Sequence, residues 1–498
     1  MTDHSHLRSR LLERQAALYT DKYELTMAEA YFREDVHEAP ACFDYSFRSN
    51  PFDSGFVVFA GLQDVLDVLA EYRFDEYDIA FLANDGFDER FLRYLEEFRF
   101  RGSVRSMREG EIVFPVETVL RVTGTLLETQ IVETMILNIL NFQSLVATKA
   151  ARMRMVAGER GLSDFGLRRA HGLGGISASR AAIIGGFDST SNMVSAERYG
   201  LLAAGTMAHS FVQSYNDELQ AFRAFARTLP DSCILLVDTY DTLRSGIPNA
   251  IRVAKEMEER GERLRGIRLD SGDLAWLARR ARKMLDDEGL EYVKIAASNQ
   301  LDEHVIRSLL QQDAPIDLFG VGTSLVTGDP DGALDGVYKL SAAHGQPRLK
   351  ISETRAKITL PGHKTVLRYT NGRNMFEADA VILEAERRGS IGSSGTDHPQ
   401  ALESSPIEEM EHPFEEEKHK SLRQYSCEEL HGEVMRDGKI SGQDYSIEDI
   451  ADYVHSRLAQ LPMEYKRFEN PHVYKVGISA ELSDLRTTLV EQHQEKAS

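Results

Sequence analysis

Apolar positions along this chain change their period several times, and each change marks an element. "YELTMAEAYF" (23–32) spaces its apolar residues at helical intervals, and "VVFAGLQDVLDVLAEY" (57–72) passes through a glycine turn into an amphipathic helix. "EGEIVFPVETVLRVTG" (109–124) alternates and is β-branched, which predicts strands with a turn at Pro115. Residues 131–157, "IVETMILNILNFQSLVATKAARMRMVA", predict one long, strongly apolar helix whose pattern asks only for packing.

The middle of the chain is more regular. Short apolar runs end at Asp238 ("ILLVD"), Asp270 ("GIRLD"), Ser298 ("VKIAAS") and Gly322 ("IDLFGVG"), and the first three lead into amphipathic helices. That rhythm predicts βα units around a parallel sheet. "LLAAGT" before His209 reads as an earlier strand of the series. Polar residues gather after each run, where barrels and open α/β sheets place their sites. Eight units cannot be counted, so an irregular or partial barrel is expected.

From 386 to 425 the chain turns rich in Ser, Gly, Pro and acid, the texture of a linker or solvated loop. "YSIEDIADYVHSRLAQLPMEYKRFENPH" (445–472) then predicts a small helical unit. The expected organisation is α/β. It comprises an N-terminal α+β domain (1–130), an irregular α/β barrel (131–385), an acidic loop (386–425), and a C-terminal segment (426–498) that packs back on the N-terminal domain.

Composition narrows the partners. A net charge of −21 disfavours nucleic acid and anionic membrane by long-range attraction, so an anionic ligand must be held by local cations and backbone amides. Three scattered cysteines, Cys42, Cys233 and Cys427, fit a reducing compartment and no zinc site. The charged opening lacks the apolar core of a signal peptide, and no apolar run approaches spanning length. A cytoplasmic protein is expected.

Candidate chemistry sits at the strand ends. "IRLDSGDL" (267–274) surrounds Ser271 and Gly272 with Arg268, Asp270 and Asp273. Two carboxylates there suit hydrated Mg²⁺ or sugar hydroxyls, and Arg grips a carboxylate or phosphate as a fork. A capping role for Ser271 or Asp273, with Arg268 in an ion pair, is equally compatible with the residues alone. "LLVDTYDTLRSG" (235–246) repeats the arrangement with Asp238, Asp241 and Arg244. "LFGVGTSLVTG" (318–328) offers Gly322, Thr323 and Thr327 as either a phosphate cradle or an ordinary glycine turn. "DFGLRRAHG" (164–172) brings Arg168, Arg169 and His171 as an anion clamp or a solvated basic face. Neither G-x-S-x-G nor G-x-x-x-x-G-K-[ST] is present. Together the loops suit a phosphorylated sugar with a metal better than a nucleophile triad.

"LYTDKYELTMAEAYF", "FDYSFRSNPFDSGFVVFAGL", "DFGLRRAHG", "GGFDSTSN", "AGTMAHSF", "VDTYDTLRSG", "GIRLDSGDL" and "GVGTSLVT" occur in the order of the nicotinate phosphoribosyltransferase family, which the chain resembles. The resemblance spans about residues 18–330, and "LPMEYKRFENPHVYKV" (461–476) resembles that family's C-terminal segment.

It implies a type II phosphoribosyltransferase fold. It also implies formation of nicotinate mononucleotide and pyrophosphate from nicotinate and 5-phosphoribosyl-1-pyrophosphate (PRPP) in NAD salvage, coupled to ATP with Mg²⁺. The family's phosphorylated histidine falls on His209. Its nicotinate contacts fall on Tyr23, Thr206 and Arg268, and an arginine beside the substrate falls on Arg168. Its phosphate contacts fall on Gly322, Thr323 and Thr327, and its acidic loops carry Asp238, Asp270, Ser271, Gly272 and Asp273. The ligands of the metal stay open. The resemblance further implies a homodimer in which the N-terminal region contributes to a neighbour's active site. Nicotinamide phosphoribosyltransferase and a catalytically silent scaffold are the alternatives to be separated by assay.

Overall fold

The structure, a computed structural model, describes residues 17–352, 359–387, 399–415, 417–442 and 444–497. Contacts divide the chain into two units, one built from residues up to Leu145 together with those from Ala333 onward, the other from the contiguous stretch Val146–Gly332.

The contiguous unit carries a six-stranded sheet in the order Ser189–Thr190, Gly161–Asp164, Leu318–Val321, Lys294–Ser298, Gly266–Leu269, Ile234–Leu236. Every pairing in it is parallel. Among the described residues the sheet stays open, in keeping with the partial barrel expected. Its last four strands are the predicted apolar runs. Leu235, Leu236, Ile267, Leu269, Ile295 and Phe319 are fully buried, as parallel strands covered by helices require.

The helices Ile247–Glu259, Leu274–Asp286 and Glu303–Gln311 follow the strands as expected. Asp273 and Asp302 cap the second and third by accepting from Trp276 N (3.0 Å) and Val305 N (2.7 Å). "LLAAGT" forms no strand: its only ladder contact is a single bridge between Ala203 and Thr190. Its alanines and glycine bring little β-propensity to hold a ladder. The short strands Gly161–Asp164 and Ser189–Thr190 carry too few apolar residues to stand out in the sequence.

A π-helical turn, Thr242–Gly246, follows the strand that leads to Asp238. A Cβ built on Gly246 falls 1.8 Å from the Val237 carbonyl oxygen. Neither atom can swing aside as a side chain would. Gly246→Ala is therefore expected to cost about 3 kcal/mol, the upper end of ordinary overpacking. In a unit of this size that lowers Tm by about 10 °C. A calorimetric scan with an unchanged midpoint would contradict this close approach.

The long apolar helix is Glu133–Ala157, preceded by Leu126–Ile131, whose start is fixed by a reciprocal capping box between Thr125 and Glu128. Contrary to the sequence expectation, the stretch Leu126–Ala157 is long and apolar enough to cross a membrane by composition alone. The reason it reads so is burial inside the protein: Leu140, Leu145, Val146, Ala147 and Ala150 are inaccessible. Its second half holds Lys149 and Arg152 against the buried Glu303 at 2.7 and 2.9 Å.

The other unit is built on an antiparallel sheet in the order Gln346–Pro347, Gly336–Ala343, Pro40–Phe47, Leu120–Thr125, Ser103–Met107, His431–Arg436, Lys439–Ile440. The strands expected around Pro115 are Ile112–Val113 and Leu120–Thr125, and Val116 turns between them at a left-handed φ of 82°. A second, mixed sheet centres on Lys364–Thr370 and Phe376–Leu383. The C-terminal region holds the expected helix, Ile447–Gln460, but also the strands Ser426–Glu429, His431–Arg436 and Val476–Ile478. Pairing with distant strands decides those segments over local pattern. Of the acidic stretch, residues 388–398 and 416 lie outside the described residues, and Glu409–Glu411 and His419–Ser421 form a short antiparallel pair. A buried ion cluster joins chain segments far apart in sequence: Arg368 bonds Glu111 at 2.5 Å and Asp379 at 2.6 Å, and Arg457 bonds Glu111 at 2.8 Å.

Candidate active site

The carboxyl ends of the parallel strands bring together residues from four separate loops. Asp238, two residues past Ile234–Leu236, turns its Oδ2 across to the neighbouring strand end. There it accepts from Asp270 N at 2.8 Å and Ser271 Oγ at 2.7 Å. Ser298, at the end of the next strand, donates to Asp270 Oδ1. The other carboxylate oxygen of Asp270 lies 3.8 Å from His209 Nε2. His209 Nδ1 meets Thr239 Oγ1 at 3.1 Å. The imidazole is thus hydrogen-bonded on Nδ1, faces a carboxylate on Nε2 and remains accessible, its side chain 39% exposed at the start of the short helix His209–Gln213.

Arg268 lies on the strand Gly266–Leu269 and donates to Thr206 Oγ1. Burial holds its guanidinium below the ordinary arginine value. Asp270 and Asp238 act in the opposite direction, and Arg168 adds to the burial effect. The guanidinium stays cationic, and two positive groups share this rim with two carboxylates.

Two atoms here are left without partners. Arg268 Nε and Asp238 Oδ1 are both buried and make no hydrogen bond among the described residues. An unmet buried polar atom costs about 1–3 kcal/mol, so both favour a ligand that supplies an anion to one and a donor or cation to the other. Among the described residues no three His, Cys, Asp or Glu side chains form a preformed metal cage. Asp238 and Asp270 are instead the sparse oxygen donors with which Mg²⁺ is held alongside water and phosphate.

The remaining expected residues divide. Gly272 adopts a left-handed φ of 78°, and a Cβ there would press on Leu277 at 3.0 Å. Asp273 is occupied as the helix cap, the simpler of its two readings. Gly322 precedes Thr323–Thr327, and the Thr327 hydroxyl donates back to Thr323 O at 2.7 Å. Asp241 accepts from Arg244 N at 2.9 Å, and Arg244 is 90% exposed, so that pair belongs to the turn. Arg168 sits in the turn Leu167–Arg169. Tyr23 belongs to the other unit, on the helix Lys22–Arg33, 49% exposed.

Sequence reasoning missed Thr239 and Ser298 as partners of the imidazole and of Asp270. Their signal was position: each is polar and lies at a strand end. Beyond Ser298 the backbone takes left-handed φ at two successive non-glycine residues, Asn299 (84°) and Gln300 (48°). Strained positions of this kind cluster at functional sites.

Comparison with known proteins identifies the chain's relatives. Three family models match in order: the nicotinate phosphoribosyltransferase N-terminal domain (18–141), the nicotinate phosphoribosyltransferase family (161–374) and the C-terminal domain (363–486). Nicotinate phosphoribosyltransferase of Bacillus subtilis is 42% identical over 93% of this chain and 93% of its own. That of Dictyostelium discoideum is 36% identical over 94% and 87%. The crystal structure of human nicotinic acid phosphoribosyltransferase superposes with a TM-score of 0.82 at 31% identity, covering 94% of this chain and 99% of that one. The chain belongs to the nicotinate phosphoribosyltransferase family.

Proposed function

We propose that this protein forms nicotinate mononucleotide and pyrophosphate from nicotinate and PRPP in NAD salvage, with ATP hydrolysis coupled through a phosphorylated His209. The observation that carries the proposal is the accessible imidazole set between Thr239 and Asp270 on the rim that holds the half-buried Arg268.

Departure of pyrophosphate leaves positive charge on the ribose, and the pyridine nitrogen attacks as it goes. No protein nucleophile is required for that transfer. Positioning and charge stabilisation supply the catalysis. Arg268 holds the nicotinate carboxylate as a planar fork, Thr206 fixes the fork, and Tyr23 offers a stacking face for the ring. Arg168 adds positive charge beside the substrate, and the loop Gly322–Thr323–Thr327 with Ser271 and Gly272 receives phosphate. Asp238 and Asp270 fit ribose hydroxyls or Mg²⁺, which when bound spreads the negative charge of the leaving pyrophosphate.

For the phosphoenzyme, the Asp270 carboxylate opposite Nε2 favours a proton on that nitrogen. Nδ1 then keeps its lone pair, accepting from Thr239 at rest. Attack of Nδ1 on the γ-phosphorus forms the N–P bond and expels ADP, and Asp270 balances the positive ring. Water later cleaves the N–P bond and releases phosphate. A homodimer and a cytoplasmic location complete this reading.

The test is a paired assay of purified protein with nicotinate and nicotinamide, each with and without ATP. Expected is product from nicotinate with PRPP, faster with ATP. Preference for nicotinamide would reassign the substrate, and no turnover of either would favour the scaffold.

A further inference from the structure

Beside Tyr23 lies a group that the proposed reaction does not use. Glu24 follows Tyr23 on the helix Lys22–Arg33, and its carboxyl is wholly inaccessible. Its Oε2 accepts from Gln130 Nε2 at 2.6 Å, while Oε1 has no hydrogen-bond partner among the described residues. The same amide also reaches Glu133 Oε2 at 3.2 Å, so one neutral donor group serves two acids. Lys339 is committed to Glu133 Oε1 at 3.6 Å, and among the described residues no lysine or arginine pairs with Glu24.

Among the other groups facing Glu24 the Tyr23 hydroxyl favours its charge, whereas Glu133 and Asp21 oppose it. On its own helix the facing groups are Tyr23 and Tyr31, with Asp21 at the N-cap. From elements packed around it come Glu133, Tyr72 and Tyr338. Asp21 is held in turn by Thr134 Oγ1 at 3.0 Å. A buried carboxylate with one bare oxygen, a second acid across a shared amide and no counter-ion is better off holding a proton. In keeping with this, burial pushes the Glu24 carboxyl up to about 7, helped by Glu133 and Asp21, against the opposing hydrogen bonds of Gln130 and the Tyr23 hydroxyl. The tyrosine responds to the same neighbours: burial and then the Glu24 carboxyl at its hydroxyl raise Tyr23.

We propose that Glu24 is a positioning residue: a proton on its carboxyl keeps the surroundings of Tyr23 uncharged and its ring fixed for an anionic aromatic ring, and loss of that proton places a negative charge at the Tyr23 hydroxyl. The inference rests on the assignment of Tyr23 to the pyridine ring made above, and it deepens that assignment. An aromatic carboxylate stays ionised throughout the neutral range, so substrate affinity falls as Glu24 ionises. A neutral pyridine amide would not feel the change to the same degree. The device therefore ties acid-over-amide preference to pH.

The experiment measures KM and kcat for nicotinate between about pH 6 and about pH 8.5 in the wild type and in Glu24→Gln. In the wild type KM is expected to rise about 3- to 10-fold across this range with kcat following the same profile in both proteins. Glu24→Gln keeps a low, pH-independent KM. Stability gives a readout free of activity. Because the folded carboxyl is raised above its unfolded value, its stabilisation is complete at acid pH and is lost as pH rises through about 7. The wild-type Tm should thus fall relative to that of Glu24→Gln over the same interval.

Identical KM and Tm profiles in the two proteins would overturn the proposal. If the variant yields no folded protein, a wild-type KM that does not vary with pH overturns it alone. Tyr23→Ala separates the two readings. A raised nicotinate KM in that variant keeps Tyr23 at the ring even if Glu24 proves silent, whereas an unchanged KM removes the assignment on which the inference stands.

Discussion

Protein carrying His209→Ala, incubated with γ-labelled ATP, retains no acid-labile phosphate, and ATP no longer accelerates nucleotide formation. The loss in kcat/KM measured with ATP is expected to be about 10- to 100-fold, the size of a coupling free energy of about 1–3 kcal/mol. What remains should equal the rate of the wild type without ATP, because the transfer itself needs no imidazole. The fold tolerates the change. His209 is half-exposed at the start of a five-residue helix, and among the described residues its side chain hydrogen-bonds Thr239 and otherwise faces Asp270 at 3.8 Å. Its Tm should therefore stay within the range of an ordinary surface substitution. Label retained in the variant would move the phosphoryl acceptor to another residue and would leave the Asp270–His209–Thr239 arrangement without its proposed use.

Arg268→Ala is the second large effect, and it falls on the substrate rather than on ATP. Removing a half-buried, charge-bearing donor from a carboxylate costs about 2–4 kcal/mol, so the nicotinate KM should rise about 30- to 1000-fold. Nicotinamide, which presents no carboxylate, should lose far less, and the ratio between the two substrates is the measurement that matters. Arg268→Lys keeps the charge but neither the fork nor its bond to Thr206, and it should recover only part of the loss. Two neighbouring carboxylates raise the stakes. With the guanidinium gone, Asp238 and Asp270 lose the positive charge that they oppose at this rim. An equal rise in KM for both substrates would mean that Arg268 serves the shape of the rim and not the recognition of the acid.

The strand ends at Asp238, Asp270, Ser298 and Gly322 were legible because parallel strands buried on both faces write an unbroken apolar run, and the first polar residue marks where each stops. The convergence of those ends at one rim follows from the parallel sheet, and it places Asp238, Asp270 and Ser271 within hydrogen-bond reach of one another. What could not be read was the pairing that local pattern does not encode. "LLAAGT" has the apolar content of a strand, yet it finds only one bridge partner. Ser426–Glu429 and His431–Arg436 are made strands by Lys364–Thr370 and Ser103–Met107, which lie far from them in sequence. The roles of Thr239 and Ser298 depend on cross-strand distances, and a lone hydroxyl in a sequence carries no distance. Glu24 was invisible for a further reason: a glutamate in the first turn of a helix is ordinary, and only burial makes it a titratable centre near neutrality.

The way the two units share the chain bears on how the protein comes into being on the ribosome. The strand Pro40–Phe47 finds one neighbour in Leu120–Thr125 early, but its other neighbour, Gly336–Ala343, emerges only after the whole of Val146–Gly332 has been made. The contiguous unit is built largely from sequential strand–helix repeats, with its strand Gly161–Asp164 waiting for Leu318–Val321, and throughout its synthesis the edge of the earlier sheet stands open. Expression conditions that slow synthesis should therefore expose that edge for longer, and aggregation during production is expected to begin there.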